Sequence, residues 1–160
     1  MTKNNFSDRL KTGIAVCELH LYRMMFAKNK ISKLFPLNIK TYNALTDEQI
    51  SYIDQLIYRF SKLQDAIGNK LFPLILEGLH EDIENLPFID VLSKIEKLGL
   101  IESSNQWLIL REVRNLVTHE YPFHTEQLIE GLNQINEQID VLTGIWSTLK
   151  KFCKQRFGTE

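Results

Sequence analysis

The chain contains few cysteines and has almost no excess of either charge. Cys17 and Cys153 are the two cysteines among 160 residues, too few and too far apart in sequence for a disulfide framework or a metal knuckle. Buried reduced thiols, as in a cytoplasmic protein, are therefore expected. The net charge of −1 provides no overall attraction for nucleic acid, so any such binding must rely on a local basic patch.

Long apolar runs are also missing. No run approaches the roughly 20 residues needed to cross a bilayer, and residues 1–8 contain no apolar stretch that could act as a signal sequence. We therefore expect a cytoplasmic protein with no membrane partner. The 160 residues, of which 44% are hydrophobic, are sufficient for one globular domain spanning residues 1–160. No Asp, Glu and His cluster has metal-ligand spacing, so neither a metal nor another cofactor is expected.

Glycine and proline are sparse, and alternation of period two is absent, which predicts helices throughout the chain. The seven glycines and four prolines lie mainly between segments of helical periodicity. The first predicted helix is capped by Ser7 or Asp8 and runs to about Lys28, and a connection with little regular structure follows at 29–45. The next helix begins with a capping box at Thr46–Gln49 and is interrupted near Gly68 and Pro73, before a piece that ends at Leu79. The remaining predicted helices are a short one at Phe88–Leu98 stopped by Gly99, one from Ser103 or Ser104 to about Tyr121, and a last one from about Thr125 to Arg156. The expected fold is an all-α up-and-down bundle of about five to six helices.

The most informative segment is residues 111–122, which read Arg-Glu-Val-Arg-Asn-Leu-Val-Thr-His-Glu-Tyr-Pro. It places Arg114, Asn115, His119 and Tyr121 together just before Pro122, which disfavours continuation of the helix. Arginine carries a permanent charge and a planar set of donors suited to phosphate oxygens. Histidine can exchange a proton near neutral pH. These residue types together indicate nucleic-acid or nucleotide chemistry.

A helical wheel over residues 107–121 separates an apolar arc from a polar arc. The apolar arc contains Leu110, Val113 and Val117, flanked by Ile109 and Leu116, and the polar arc contains Arg111, Arg114, Asn115, Thr118 and His119. Arg114 and His119 lie about 140° apart, so one straight helix does not bring them together. A site that uses both residues would need the helix to loosen near Pro122, or a two-fold related copy to present the same face.

Two further residues, Trp107 and Leu108, also fall on the mostly polar side of this wheel. A partner surface would explain apolar bulk there. The alternative is that the polar arc is simply solvated, with His119 near the helix end because a cation there offsets the helix dipole.

The pattern Arg114-Asn115-x-x-x-His119-x-Tyr121 in an all-α chain of this length resembles the HEPN superfamily, most closely its HepT-like toxin branch. The family hallmark is Arg, a polar residue, a few variable positions and His, to which the HepT branch adds Tyr two residues later. The segment Arg59–Asp65, with the sequence Arg-Phe-Ser-Lys-Leu-Gln-Asp, also resembles a helix of that family.

This resemblance implies a homodimeric, metal-independent endoribonuclease that dimerises through the motif helix and cleaves RNA in a composite cleft. It implies the toxin of a HepT/MntA (HEPN/MNT) toxin–antitoxin pair, inhibited by a nucleotidyltransferase antitoxin that transfers AMP to Tyr121. His119 would act as general base or acid, and Arg114 would stabilise charge on the scissile phosphate. Asn115 would orient the phosphate or the imidazole, while Tyr121 and Arg111 would contact the substrate.

Several alternatives remain open from the sequence. The chain is either this nuclease, a non-catalytic module that binds a nucleotidyltransferase or its substrate, or a helical adaptor whose polar arc is a protein interface. Asp65 either supports the site by pairing with a motif arginine or is an ordinary surface residue. Glu112 is close to His119 on the wheel, although a solvated role is favoured. His20 is best interpreted as a histidine at the edge of the core.

Overall fold

The structure, a computed structural model, describes residues 5–118 and 125–159, and within these ranges it contains helices and no strand. The helices are α1 (Phe6–Ile31), α2 (Ile39–Asn43), α3 (Asp47–Ala66), α4 (Phe72–Gly78), α5 (Phe88–Lys97), α6 (Ser104–Thr118) and α7 (Thr125–Phe157). A 3₁₀ turn at Ser32–Leu34 follows α1, and a π-turn at Ile67–Leu71 joins α3 to α4.

The beginning of the chain differs from the prediction in its helix cap. Asn5 caps α1, its side-chain oxygen accepting a hydrogen bond of 2.8 Å from the backbone N–H of Asp8. The predicted cap at Ser7 or Asp8 is therefore wrong, because the helix has already begun at Phe6 when the chain reaches Ser7. The helix also continues past Lys28, since the next turn buries Ile31 in the core.

Residues 29–45 contain more regular structure than predicted. The end of α1, the 3₁₀ turn and α2 all lie in this range. Asn38 and Thr41 form a capping box at the start of α2, and the Asn133 carboxamide holds both the N–H and the carbonyl of Leu37, at 2.8 and 2.9 Å. The prediction of an irregular connection is wrong because it relied on apolar periodicity, which a five-residue helix is too short to display.

The bend after α3 appears where the sequence indicated an interruption. The capping box at Thr46 and Gln49 is confirmed, with reciprocal hydrogen bonds of 2.9 and 3.1 Å. Gly68 lies in the π-turn, and Pro73 is in the first turn of α4, directly after it, so the hydrogen bond that proline cannot donate falls where the π-turn already interrupts the regular helical ladder. The helix is therefore bent rather than broken before it ends at Gly78.

The remaining predicted boundaries are confirmed wherever the structure describes them. Gly99 follows α5 with a φ of 76°, a left-handed conformation that glycine adopts without strain. The Ser103 hydroxyl accepts a hydrogen bond of 3.0 Å from the N–H of Gln106 at the start of α6, and α7 begins at Thr125 as predicted. The predicted end of the motif helix near Tyr121 lies outside the described residues.

Four helices, α1, α3, α6 and α7, pack as antiparallel neighbours. His20 of α1 contacts Arg59 of α3, Asp65 of α3 contacts Arg114 of α6, and Trp146 of α7 contacts Glu18 of α1. Their apolar faces join in one buried cluster. The predicted all-α up-and-down bundle is confirmed, and α3, the π-turn and α4, counted as one bent helix, give six helices in the described ranges.

Cys17 and Cys153 are free and buried in this core, as expected. Burial raises the pKa of Cys17 to about 12 and that of Cys153 to about 11, so both thiols stay protonated and unreactive at neutral pH. None of the described helices combines the length and hydrophobicity that spanning a bilayer would require.

Candidate functional site between α3 and α6

A polar stripe on α3 faces the motif helix α6. Asp54, Tyr58, Ser61 and Asp65 recur at steps of four, three and four, and the next step of three reaches Gly68 in the π-turn. This spacing keeps all of them on one side of the helix. Together with residues of α6 the stripe lines two clefts, an inner cleft beside the π-turn and an outer cleft beside the last described turn of α6.

Arg114 of α6 is paired with Asp65 of α3 between the two clefts. Its Nη1 donates a hydrogen bond to the Asp65 carboxylate, so the structure contains the pairing of Asp65 with a motif arginine that the sequence left open. The Arg114 and Asp65 side chains are 28% and 41% exposed, and ion pairs at such exposure contribute little to stability. The effect of the pair is to orient the guanidinium, whose remaining N–H groups are available for other acceptors.

The other motif residues are placed differently. The guanidinium of Arg111 lies over the Phe88 ring of α5 at 5.0 Å from its centroid, and no carboxylate of residues 5–118 or 125–159 forms an ion pair with it. Asn115 is exposed. His119 and Tyr121 lie outside the described residues.

The inner cleft has a volume of about 240 Å³, and Gln64 lines it together with Asp65, Arg111 and Arg114. The Gln64 side chain is 2% exposed, yet within residues 5–118 and 125–159 neither its amide nitrogen nor its amide oxygen has a hydrogen-bond partner. Folded proteins hydrogen-bond nearly all of their buried polar groups. The sequence does not single out Gln64, because at this position, next to Leu63 and four residues after Phe60, it coincides with the apolar face of α3.

The position of Trp107 corrects one prediction. Its side chain is 1% exposed and packs on Phe72 with ring centroids 4.9 Å apart, so it belongs to this chain's own core and not to a partner surface. The π-turn makes this possible, because Gly68 has no Cβ and approaches the indole closely. A Cβ built there would lie 3.1 Å from Trp107 Cζ2. Leu108, by contrast, is 37% exposed.

The apolar arc of α6 is otherwise as predicted. Leu110, Val113 and Val117 are buried at 0%, 4% and 2% exposure, whereas the flanking Ile109 is 41% exposed. The buried side of α6 is therefore displaced towards Trp107 and Arg114, the side that faces α3.

The outer cleft, of about 310 Å³, is lined by Asp54, Tyr58 and Ser61 of α3 and by Val117 and Thr118 of α6. Partial desolvation of the Asp54 carboxylate raises its pKa, and the buried Ser61 hydroxyl has no hydrogen-bond partner among the described residues. Sequence reasoning missed both residues. The signal was the three-and-four spacing of polar residues on α3, which the apolar stripe of the same helix obscured.

His20 forms a separate polar contact on the other side of α3. Its Nδ1 lies 2.9 Å from Nη1 of Arg59, so the imidazole is an acceptor for the guanidinium. Burial, with added repulsion from Arg59 and Lys62, lowers the pKa of His20. Its interpretation as a histidine at the edge of the core is confirmed, since the side chain is partly buried and held by a structural partner.

Within residues 5–118 and 125–159, no group of three His, Cys, Asp or Glu side chains is arranged to hold a metal ion. The comparisons with known proteins found no match to this chain among protein-family models, curated proteins or solved structures. The likeness to the HEPN superfamily therefore rests on the motif residues themselves.

Proposed function

We propose that this protein is a metal-independent endoribonuclease of the HEPN type, acting as the toxin of a toxin–antitoxin pair. The observation that carries the proposal is Arg114, a motif arginine oriented by Asp65 between two polar clefts. Five residues later in the sequence stands His119, which supplies the proton-exchanging group. Cleavage of a phosphodiester needs both an oriented cation and a proton-exchanging group at the scissile phosphate.

In the proposed reaction the ribose 2′-oxygen attacks the adjacent phosphorus and the bond from phosphorus to the 5′-oxygen breaks. A base removes the proton of the 2′-hydroxyl, and an acid supplies one to the leaving 5′-oxygen. His119 performs one of these transfers, and Arg114 stabilises the charge that accumulates on the phosphoryl oxygens. Asn115 orients the phosphate or the imidazole. The products are a 2′,3′-cyclic phosphate and a 5′-hydroxyl.

The active unit in this proposal is a homodimer formed through α6. Leu108 and Ile109 are 37% and 41% exposed on that helix, and exposed apolar side chains of this size favour a protein contact. In a two-fold dimer the same surface meets itself, so Arg114 of one copy and His119 of the other complete each site. Transfer of AMP to Tyr121 by a nucleotidyltransferase antitoxin adds negative charge close to where RNA phosphate binds, and thereby inhibits cleavage.

The first experiment incubates purified, unmodified protein with cellular RNA in excess chelator, beside a His119→Ala variant. Fragments ending in a 2′,3′-cyclic phosphate, absent with His119→Ala, are expected. A His80→Asn variant is the matched control, because His80 is exposed and its φ of 64° is tolerated by asparagine. Intact RNA, with mass spectrometry showing Tyr121 unmodified, would contradict the proposal.

A second experiment tests the composite site by mixing two inactive variants, Arg114→Ala and His119→Ala. Half of the randomly formed dimers are mixed, and each contains one intact site, so about a quarter of the wild-type activity is expected. If Arg114 and His119 of the same copy act together, the mixture stays inactive.

A second candidate function is a non-catalytic module that binds a nucleotidyltransferase or its substrate. The ion pair itself favours this alternative, because Asp65 already neutralises the Arg114 guanidinium and thereby weakens its attraction for phosphate. Retention of a nucleotidyltransferase partner by His119→Ala, together with an absence of cleavage by the wild type, would select this candidate.

A further inference from the structure

The inference begins with Gln64, whose buried carboxamide lacks the partners that its burial demands. The side chain is 2% exposed, and neither polar atom finds a hydrogen-bond partner in the part of the chain that the structure describes. A carboxamide carries two N–H donors and an acceptor oxygen on one rigid plane. An apolar side chain of similar shape would satisfy the core better at this position, so the amide has no structural explanation.

Gln64 lies where α3 is about to bend into the π-turn, and it lines the inner cleft. Turns of this kind inside helices often occur at functional sites. Gly68, one turn further on, leaves the cleft open, because a Cβ there would lie 3.1 Å from Trp107 and 3.6 Å from Phe88. The inner cleft is therefore a space between the Trp107 and Phe88 rings that Gln64, with its carboxamide donor and acceptor, helps to line.

The size and lining of the cleft suit a small planar group. Its volume of about 240 Å³ is below the range of about 300–1,000 Å³ that is typical for drug-sized ligands. The edge of a nucleobase presents neighbouring donor and acceptor atoms, and glutamine pairs in this way with N6 and N7 of adenine. Unstacked RNA bases commonly stack on aromatic rings or on arginine planes, and Phe88, Trp107 and Arg111 all line the cleft.

The charge of the cleft fits a base that is joined to phosphate. Asp65 and Arg114 compensate each other, whereas Arg111 has no carboxylate partner among the described residues. One positive charge is thus left at the mouth of the cleft. A nucleotide whose base entered the cleft would place its phosphate near Arg111 and its neighbouring phosphate towards Arg114.

We propose that the inner cleft is a base-recognition subsite, in which the Gln64 carboxamide reads the edge of one unstacked RNA base next to the scissile phosphate. This rests on the proposed function, which supplies RNA as the ligand. It adds to that function a determinant of sequence preference that lies outside the motif.

The test measures the binding of short single-stranded A, C and U oligoribonucleotides to the full chain carrying His119→Ala, so that no RNA is cleaved. We expect the A oligonucleotide to bind about tenfold more tightly than the C and U oligonucleotides. Adding Gln64→Met, which keeps the length of the side chain and removes its hydrogen bonds, abolishes this difference while thermal stability is kept or increased. Asn136→Leu is the matched control, because the buried Asn136 oxygen is also unpartnered but does not line the cleft.

The outcomes separate this inference from the proposed nuclease. A base preference that Gln64→Met removes supports the subsite even if the wild-type protein cleaves no RNA. The subsite is overturned if all three oligonucleotides bind equally, or if the base preference survives Gln64→Met. When the wild type nevertheless cleaves RNA, the proposed nuclease function is retained. Binding of adenosine 5′-monophosphate as tight as that of the oligonucleotide also overturns it, because the cleft would then be a site for free nucleotides.

Discussion

The helices α7 and α3 both pack on α6, but the first contact is apolar and close whereas the second is polar and open. Against α7 the packing is apolar and close, and Gly131 of α7 approaches so near that a Cβ there would lie 2.7 Å from Val117 Cγ1 and 3.1 Å from Leu116 Cβ. Against α3 the interface contains two clefts, an ion pair and the unpartnered polar atoms of Gln64 and Ser61. One helix therefore has a tightly packed side and an open polar side.

The difference separates the source of stability from the candidate site. Burial of apolar surface and close packing stabilise the α6–α7 side. The α3–α6 side contains exposed charge pairs that stabilise little and buried polar atoms that destabilise. We expect substitutions on the first side to change the free energy of unfolding, and substitutions on the second to change RNA cleavage.

Arg114→Ala is expected to have the largest effect. Loss of a charge-stabilising donor lowers RNA cleavage by about 10²–10³-fold, while the free energy of unfolding changes by less than about 1 kcal/mol. Cleavage assays in chelator and denaturant unfolding measure the two effects. Arg9→Ala is the matched control, since Arg9 pairs with Glu77 at similar exposure, 37% and 41%. An equal loss of cleavage in both variants would contradict the separation of the two sides.

Gly131→Ala is expected to act on the packed side. The added methyl displaces α6 from α7, and the overpacking outweighs the better helix propensity of alanine, giving a net destabilisation of about 1–2 kcal/mol. Gly144→Ala on the same helix is the control, because a Cβ there meets nothing within 4 Å. That variant gains up to about 1 kcal/mol of stability. Equal thermal stability of the two variants would show that α6 and α7 are not tightly packed.

Asp65→Ala is expected to lower kcat about tenfold with little change in KM, because it releases the Arg114 guanidinium from its orientation. Asp65→Asn keeps an acceptor for Arg114 and recovers most of the rate. Steady-state kinetics on a defined RNA separate kcat from KM. A rate for Asp65→Asn as low as that for Asp65→Ala would mean that the carboxylate charge, and not the orientation of Arg114, is what matters.

His20 is expected to produce the smallest effect, on the dependence of stability on pH. Its folded pKa lies below the ordinary value of 6.5, so below pH 6.5 the unfolded chain binds more protons than the folded chain and the folded state loses stability as the pH is lowered. In His20→Gln, whose oxygen still accepts from Arg59, this decline is shallower. Unfolding measured between pH 5 and 8 tests it, and a His20→Gln decline as steep as that of the wild type would contradict it.

Local signals in the chain were sufficient for most helix boundaries and for one side of the motif helix. The capping box at Thr46 and Gln49, the stop at Gly99 and the start of α7 depend on residues within one turn of each other. Trp107 was misplaced because a wheel describes a single helix, whereas its burial depends on the space that Gly68 leaves on another helix.

The residues of the candidate site also divide into features that neighbouring residues in the sequence determine and features that contacts between helices determine. The residue types of the motif and its resemblance to the HEPN superfamily come from consecutive positions in the sequence. The pairing of Arg114 with Asp65 joins residues 49 positions apart, and it depends on how α3 and α6 are rotated about their axes. Gln64, similarly, is an ordinary member of a helical stripe until packing removes it from water without a partner.

The amino-acid sequence was thus sufficient for the all-α class and the order of the helices, because hydrogen bonds within a helix and the period of its apolar face are local properties. The tertiary structure decided which polar residues share a cleft, which arginine has a carboxylate partner and which amide is buried. Those properties arise from contacts between helices, and no periodicity along the chain encodes them.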